Sequence, residues 1–347
     1  MRFIVLGILI LCASCMSSPE KEERIRMDEE PSPSKSELPD YPEISPGFNT
    51  LPVSSFGEIW GYLINGQEED LSPDYPLTDI GYFGAEVDSY GRLSGVPDPQ
   101  KIGFFSGRVH LVVTCNSRGL THFVIEDEST ARERLVEDLL AAVKPFDGLQ
   151  IDFELVPRND GEAFLGFLRK LRDGLGGKPL TAALPARTKG LENDVYDYQK
   201  LLPLVDRILV MAYDEHWATS EPGPIASLDW CESVAAYALE TLGPDKLIMG
   251  LPFYGRTWGS VNPNRAFFHI GIERIKRENN VDVVSRRGGV PTFTYEVPVT
   301  ITVFYEDEYS LATRLSMYRT MGVRSVGFWA LGQETPLVWK LLRLDAK

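Results

Sequence analysis

The chain has 347 residues, 43% of them hydrophobic, enough for two domains or for one large α/β domain with a sizeable core. Its net charge is −15, from 50 acidic against 35 basic side chains, which argues against nucleic acid or an anionic membrane surface as the main partner. Four Cys and four His fall in no metal-ligand spacing, so neither a metal nor another cofactor is expected.

Residues 1–15 read as an export signal. Arg2 supplies a positive start, and Phe3 to Leu11 form an apolar run too short to span a bilayer. Cys12-Ala-Ser-Cys15 follows. It is similar to bacterial lipoprotein signals, in which small residues precede a Cys that is lipidated and becomes the new N-terminus. Cys15 is the expected lipidation site, and simple secretion with cleavage near Ser14 is the alternative. Either route exports the protein. The first would anchor it to the bacterial cell envelope, with the lipid as its one membrane contact. Residues 16–50 hold Ser, Pro, Glu and Lys with little apolar content, and Glu20 to Glu43 contains nine acids against four bases, a net of −5. Such a segment buries too little surface to fold and reads as an acidic tether.

Residues 51–347 carry eight short apolar, β-branched runs: Glu58–Ile64, Asp79–Glu86, Val109–Asn116, Leu149–Glu154, Leu180–Pro185, Arg207–Asp214, Leu247–Tyr254 and Ser325–Leu331. Helical patterns separate several of them. Thr130-Ala-Arg-Glu133 has the form of a capping box, opening a helix to about Val143. Asp160 is placed to cap the next helix, whose stripe is Phe164, Leu168, Leu171 and Leu175. Leu228–Leu242 and Glu308–Met321 are two more. Eight strands alternating with helices indicate a (β/α)8 barrel. A doubly wound open sheet is the alternative, but no Gly-rich phosphate turn follows an early strand. The longest gap lies between the seventh and eighth strands, where Gly259 to about Thr302 reads as a small insertion on the catalytic face. Cys115 and Cys231 are expected to be buried free thiols, and the protein a monomer.

The stretch Phe146-Asp-Gly-Leu-Gln-Ile-Asp-Phe-Glu154 is the most informative. With a side-chain period of two, Gly148, Gln150, Asp152 and Glu154 share one strand face, while Leu149, Ile151 and Phe153 share the other. Acids on an inner face are costly unless paired, hydrogen-bonded or employed. Two of them side by side form a coupled pair, one of which tends to keep its proton near neutral pH. Other strand ends add polar and aromatic groups. The sixth carries Met211-Ala-Tyr-Asp214 followed by Glu215-His-Trp217; the seventh carries Pro252-Phe-Tyr-Gly-Arg-Thr-Trp258; the eighth carries Phe328-Trp329. Active sites of such barrels lie at the C-terminal strand ends, and carboxylates among aromatic rings suit a sugar.

On these residues the chain resembles glycoside hydrolase family 18, the chitinase-like family. Its Asp-Gly-x-Asp-x-Asp-x-Glu motif is matched by Asp147-Gly-Leu-Gln-Ile-Asp-Phe-Glu154. Met211–Asp214, Gly250–Gly255 and Trp329 match three further blocks, over about residues 55–345. The resemblance implies a hydrolase cleaving β-1,4 bonds at N-acetylglucosamine residues of chitin or peptidoglycan. Glu154 would be the proton donor, and Asp152 would orient the substrate's acetamido group, which serves as nucleophile with retention. Tyr213 would hydrogen-bond that group, Asp214 would help hold the distorted sugar, and Trp329 would lie beneath it. Gln150, Tyr254, Arg256, Trp258 and Trp217 complete the expected substrate contacts. Gln150 stands where the family has Asp and is expected to hydrogen-bond Asp152. Val112-Val-Thr-Cys-Asn116 replaces the family's Ser-x-Gly-Gly block. The string from Glu215 to Ile225 is similar to bacterial relatives acting on cell-wall and spore glycans. The alternative function is a weak or inactive glycan-binding envelope lipoprotein on the same fold.

Overall fold

The computed structural model describes residues 47, 50–127, 129–259, 264–297 and 299–346. The expected signal segment, Cys15 and nearly all of the 16–50 tether lie outside these described residues.

Eight strands, β1 (Glu58–Ile64), β2 (Asp79–Val87), β3 (Arg108–Thr114), β4 (Gly148–Asp152), β5 (Leu180–Pro185), β6 (Arg207–Met211), β7 (Leu247–Pro252) and β8 (Ser325–Trp329), pair in parallel with their sequence neighbours. Pairing of β8 with β1 closes the ring into a (β/α)8 barrel. The strands are buried on both faces, which is why they read as nearly continuous apolar runs. The side-chain period sorts those residues. Trp60, Tyr62, Val112, Leu209, Met211 and Ile248 fill the lumen. Ile59, Leu63, Leu111, Val113, Ile208 and Val210 face outward into the main core beneath the helices.

Several strands stop two or three residues earlier than the sequence suggests. β4 ends at Asp152, β6 at Met211 and β7 at Pro252, so Glu154, Asp214 and Tyr254 sit in the connections beyond them. At the barrel mouth the ladder has no further neighbour to pair with, and the polar residues beyond have nothing to gain from extending it.

Helices α1 (Arg118–Ile125), α2 (Thr130–Ala142), α3 (Gly161–Gly174), α4 (Tyr198–Leu201) and α5 (Leu228–Leu242) follow β3 to β6. α2 is capped by Ser129, whose side chain accepts from Arg132 N, rather than by Thr130. Asp160 precedes α3 but makes no cap bond; its carboxylate takes His122 Nδ1 at 2.9 Å instead. α3 buries Phe164, Leu165, Phe167, Leu168 and Leu171 against the barrel. At about 1.5–3 kcal/mol per buried large apolar side chain, this stripe rather than the cap secures the helix. Phe153, the outward residue after β4, stacks on Phe167 at 5.6 Å and ties the end of β4 to α3.

Polar groups plug the bottom of the barrel. Asp79 is fully buried and takes His110 Nε2 at 2.8 Å and Arg108 Nη2 at 3.0 Å; Glu58 pairs with Arg108 and Arg207. A Cβ on Gly148 would come within 2.4 Å of His110 Nδ1, so that position tolerates only glycine.

Between β7 and β8 the chain builds a five-stranded antiparallel sheet. Its strands, in spatial order, are Arg265–Phe267, Gly255–Gly259, Val299–Phe304, Val290–Val297 and Ser285–Arg287, with helix α6 (His269–Glu278) packed against it. Helix α7 (Glu308–Met321) then leads to β8, opened by an Asp307–Ser310 capping box. Cys115 and Cys231 are both buried and unpaired.

Candidate active site

The inner face of β4 delivers the central acids. Asp152 is the last residue of the strand, in register with Thr114 of β3, and is only 8% exposed. Its Oδ1 has no hydrogen-bond partner among the described residues. Burial, and then the charge on Glu154, push its carboxyl well above the usual range. Glu154 follows in the turn beyond β4 and is half-buried. Its pKa is also raised, first by burial and then by the charge on Asp214. With these two carboxyls so close, the second proton to leave is the harder to remove, because it departs beside an anion.

The end of β6 delivers the third carboxylate. The chain leaves the sheet at Met211, and Asp214 adopts a φ of 58°, a left-handed conformation that Asp tolerates better than most residues. Arg256 donates to both oxygens of Asp214, through Nε at 2.9 Å and Nη2 at 2.8 Å, and the Tyr254 hydroxyl donates to Oδ1 at 2.5 Å. Such a two-pronged, charge-assisted pair fixes a carboxylate in one orientation. Tyr213 packs edge-on against Tyr254, ring centroids 6.4 Å apart. Burial and then the neighbouring Tyr62 keep its hydroxyl protonated, as a donor, well above the usual pH of phenol ionisation.

Trp329, at the end of β8, stands half-buried, edge-on to Phe83 at 4.7 Å and tilted on Tyr62 at 5.6 Å. It touches both the lumen cluster and the cluster formed by Ile225, Tyr254, Trp258, Val290 and Phe304. Trp217 remains 37% exposed, its Nε1 donating to Thr219 Oγ1 at 2.9 Å.

Two expected contacts do not face the mouth as the sequence suggests. Trp258 is 4% exposed, packs edge-on against Phe304 and donates through Nε1 to Trp217 O at 3.2 Å. It is a core residue of the insertion, supporting Trp217 from behind. Gln150 is fully buried, and its amide is spent elsewhere: Oε1 accepts from the Tyr62 hydroxyl and Nε2 donates to Thr181 Oγ1 at 3.0 Å. No bond joins Gln150 to Asp152, because the amide reaches across the lumen to Tyr62 of β1 and sideways to Thr181 on the neighbouring β5. Tyr62, Thr181 and Phe83 were not singled out in the sequence; their inner-face positions on β1, β5 and β2 were the available signal.

The assembly thus holds a protonatable acid, a second acid with an open oxygen, a third carboxyl fixed in place and phenol donors around aromatic faces. It is equipped to protonate a leaving oxygen, to bind an amide and to stabilise positive charge on a sugar ring.

The chain is similar to several known proteins. The pattern of Glycosyl hydrolases family 18 matches residues 117–334. The putative sporulation-specific glycosylase YdhD of Bacillus subtilis (strain 168) is 33% identical over 247 residues, covering 65% of this chain and 57% of that protein. The cortical fragment-lytic enzyme of Bacillus anthracis is 26% identical over 290 residues, covering 77% of this chain and 67% of that protein. The crystal structure of the Bacillus cereus spore cortex-lytic enzyme SleL has the same fold, with a TM-score of 0.75 at 23% identity, covering 84% of this chain and 76% of that one.

Proposed function

The chain belongs to Glycosyl hydrolases family 18 and is on that account a glycosidase; we propose that it cleaves β-1,4 bonds at N-acetylglucosamine residues of a peptidoglycan-type glycan, with the substrate's acetamido group as nucleophile. The observation that carries this reading is the row Asp152, Glu154 and Asp214, in which two carboxyls are driven toward the protonated form and the third is fixed in place by Arg256 and Tyr254.

Glu154 gives its proton to the glycosidic oxygen as the bond to the anomeric carbon breaks. The acetamido carbonyl oxygen attacks that carbon from the opposite face, and Asp152 orients the group through its N–H while Tyr213 donates to its oxygen. The resulting bicyclic intermediate is opened by a water whose proton returns to Glu154, which regenerates the acid. Two inversions at one carbon leave the β anomer. An internal nucleophile held beside the reacting carbon makes the step unimolecular, which is worth several powers of ten in rate. Asp152 ends β4, and Glu154 follows only two residues on, in the turn just beyond it. They therefore approach from one side, whereas a carboxylate nucleophile would have to stand opposite the acid. Trp329 serves as the floor beneath the reacting sugar.

The choice of a peptidoglycan-type substrate is supported by the relatives named for the spore cortex and for sporulation. The chain spans 57% and 67% of their lengths, so their whole-protein activities reach it only as this proposal. We place the catalytic barrel at residues 51–347, tethered through 16–50 to a lipid on Cys15 and acting in the envelope. Product analysis on purified peptidoglycan and on chitin oligomers, with proton NMR of the first product, tests the reaction. An initial α anomer, or a glycosyl ester trapped on a carboxylate, overturns the mechanism. Release of Cys15→Ser from the membrane fraction tests the anchor; membrane association of the wild type without acyl labelling overturns it.

A further inference from the structure

We propose that Tyr196 is a positioning residue for the acid: its hydroxyl is inserted into the turn that carries Glu154. This rests on the reading of Glu154 as the proton donor.

After β4 the chain turns through Phe153, Glu154, Leu155 and Val156. In an ordinary four-residue turn the first carbonyl accepts directly from the fourth N–H. Here that pair is joined through a side chain. Val156 N donates to the Tyr196 hydroxyl at 2.9 Å, and the hydroxyl donates to Phe153 O at 2.8 Å. A phenol oxygen thus occupies the closing position of the turn. Glu154 is the second residue of that turn, so the direction of its side chain follows from how far the bridge props the turn open.

The bridge is itself held. Tyr196 is 7% exposed, and its ring lies edge-on to Phe164 of α3 at 6.3 Å. Tyr196 N donates to Asp194 Oδ1 at 3.1 Å. Asp194 is gripped by Arg187, through Nε at 2.7 Å and Nη2 at 3.0 Å, and Arg187 Nη1 bonds Ala186 O just past the end of β5. The rigid end of β5 therefore sets the turn after β4, by way of Arg187, Asp194 and Tyr196. The hydroxyl lies close enough to the mouth that the charges on Glu154 and Asp152 add to burial in raising its pKa. It stays protonated across the working pH range, which the donated bond to Phe153 O requires.

Tyr196→Phe keeps the ring and removes the bridge. Two buried backbone groups are then left unpaired unless the turn closes on itself, and that closure displaces Glu154. A misplaced acid hurts most when the leaving group needs a proton. The test compares an N-acetylglucosamine oligosaccharide with its 4-nitrophenyl glycoside, whose nitrophenolate departs without one. For Tyr196→Phe, kcat on the oligosaccharide is expected to fall about ten- to a hundredfold with KM within about threefold of wild type, and to fall far less on the nitrophenyl substrate. Equal loss on both substrates, or no loss, overturns the proposal. Asp194→Asn keeps the hydroxyl but loosens its mounting. It is expected to show a smaller loss with the same dependence on leaving group, and it decides the matter if Tyr196→Phe fails to fold; equal effects on both substrates overturn the proposal there too. Glu154→Gln is the control. If its defect ignores the leaving group, the acid assignment falls and this proposal with it. If its defect depends on the leaving group while Tyr196→Phe behaves as wild type, this proposal alone falls.

Discussion

Arg256 bonds both oxygens of Asp214, at 2.9 and 2.8 Å, across 42 residues of sequence. After burial itself, the charge of Asp214 is what raises the pKa of Glu154. Asp214→Asn removes that charge and leaves the guanidinium behind, so Glu154 gives up its proton more easily. Asn tolerates the left-handed backbone at this position. The alkaline limb of the kcat/KM profile should move to lower pH. A limb unmoved, or moved upward, would remove Asp214 from the control of the acid.

Glu154→Gln keeps the shape of the side chain and abolishes the proton. Loss of a general acid costs about a hundred- to ten-thousandfold in rate. That loss should appear in kcat on oligosaccharides, with an unchanged circular dichroism spectrum. Near-normal turnover by the folded variant would show that another group protonates the leaving oxygen.

Asp152 carries a stability cost whose sign is fixed by its raised pKa. The folded protein binds this proton more tightly than the unfolded chain, so the favourable contribution is complete below the unfolded value of about 3.9 and is lost as pH rises through the folded value. Asp152→Asn imitates the protonated form at every pH. Its melting temperature should exceed that of wild type at pH 7, and the gap should narrow as pH falls toward 4. A variant less stable than wild type at pH 7 would refute the assignment of Asp152 as a strained buried acid.

Trp217 and Trp258 should separate binding from stability. Trp258 is buried against Phe304 within the insertion, and truncation of a buried Trp costs about 3–5 kcal/mol. Trp258→Ala should therefore lower the urea midpoint strongly. Trp217 is exposed at the mouth, so Trp217→Ala should change stability by about 0.5 kcal/mol or less while raising KM on longer oligosaccharides. The reverse pattern would exchange their roles.

The barrel and its central acids were legible in the sequence because both depend on local periodicity. Strands buried on two faces leave short apolar runs at regular intervals, and β1 to β8 lie where those runs stand. The period of two places Gln150 and Asp152 on one face of β4 and Leu149 and Ile151 on the other, and the structure keeps that division. The strand ends were less legible, since pairing stops where a neighbouring strand stops and the residue's own preference does not decide it.

Partners were decided only by the tertiary structure. Gln150 is joined to Tyr62, 88 residues away, because the stagger of the barrel strands sets their inner side chains face to face across the lumen. Trp258 is buried because a sheet formed by residues up to 304 covers it; its sequence neighbourhood looks like any aromatic strand end. Tyr196 reaches the Glu154 turn from an irregular loop, where no period predicts which way a side chain points. Periodicity determines which face a residue takes along its own strand; what it meets there depends on register, closure and loop path, which are settled only when all eight strands pack together.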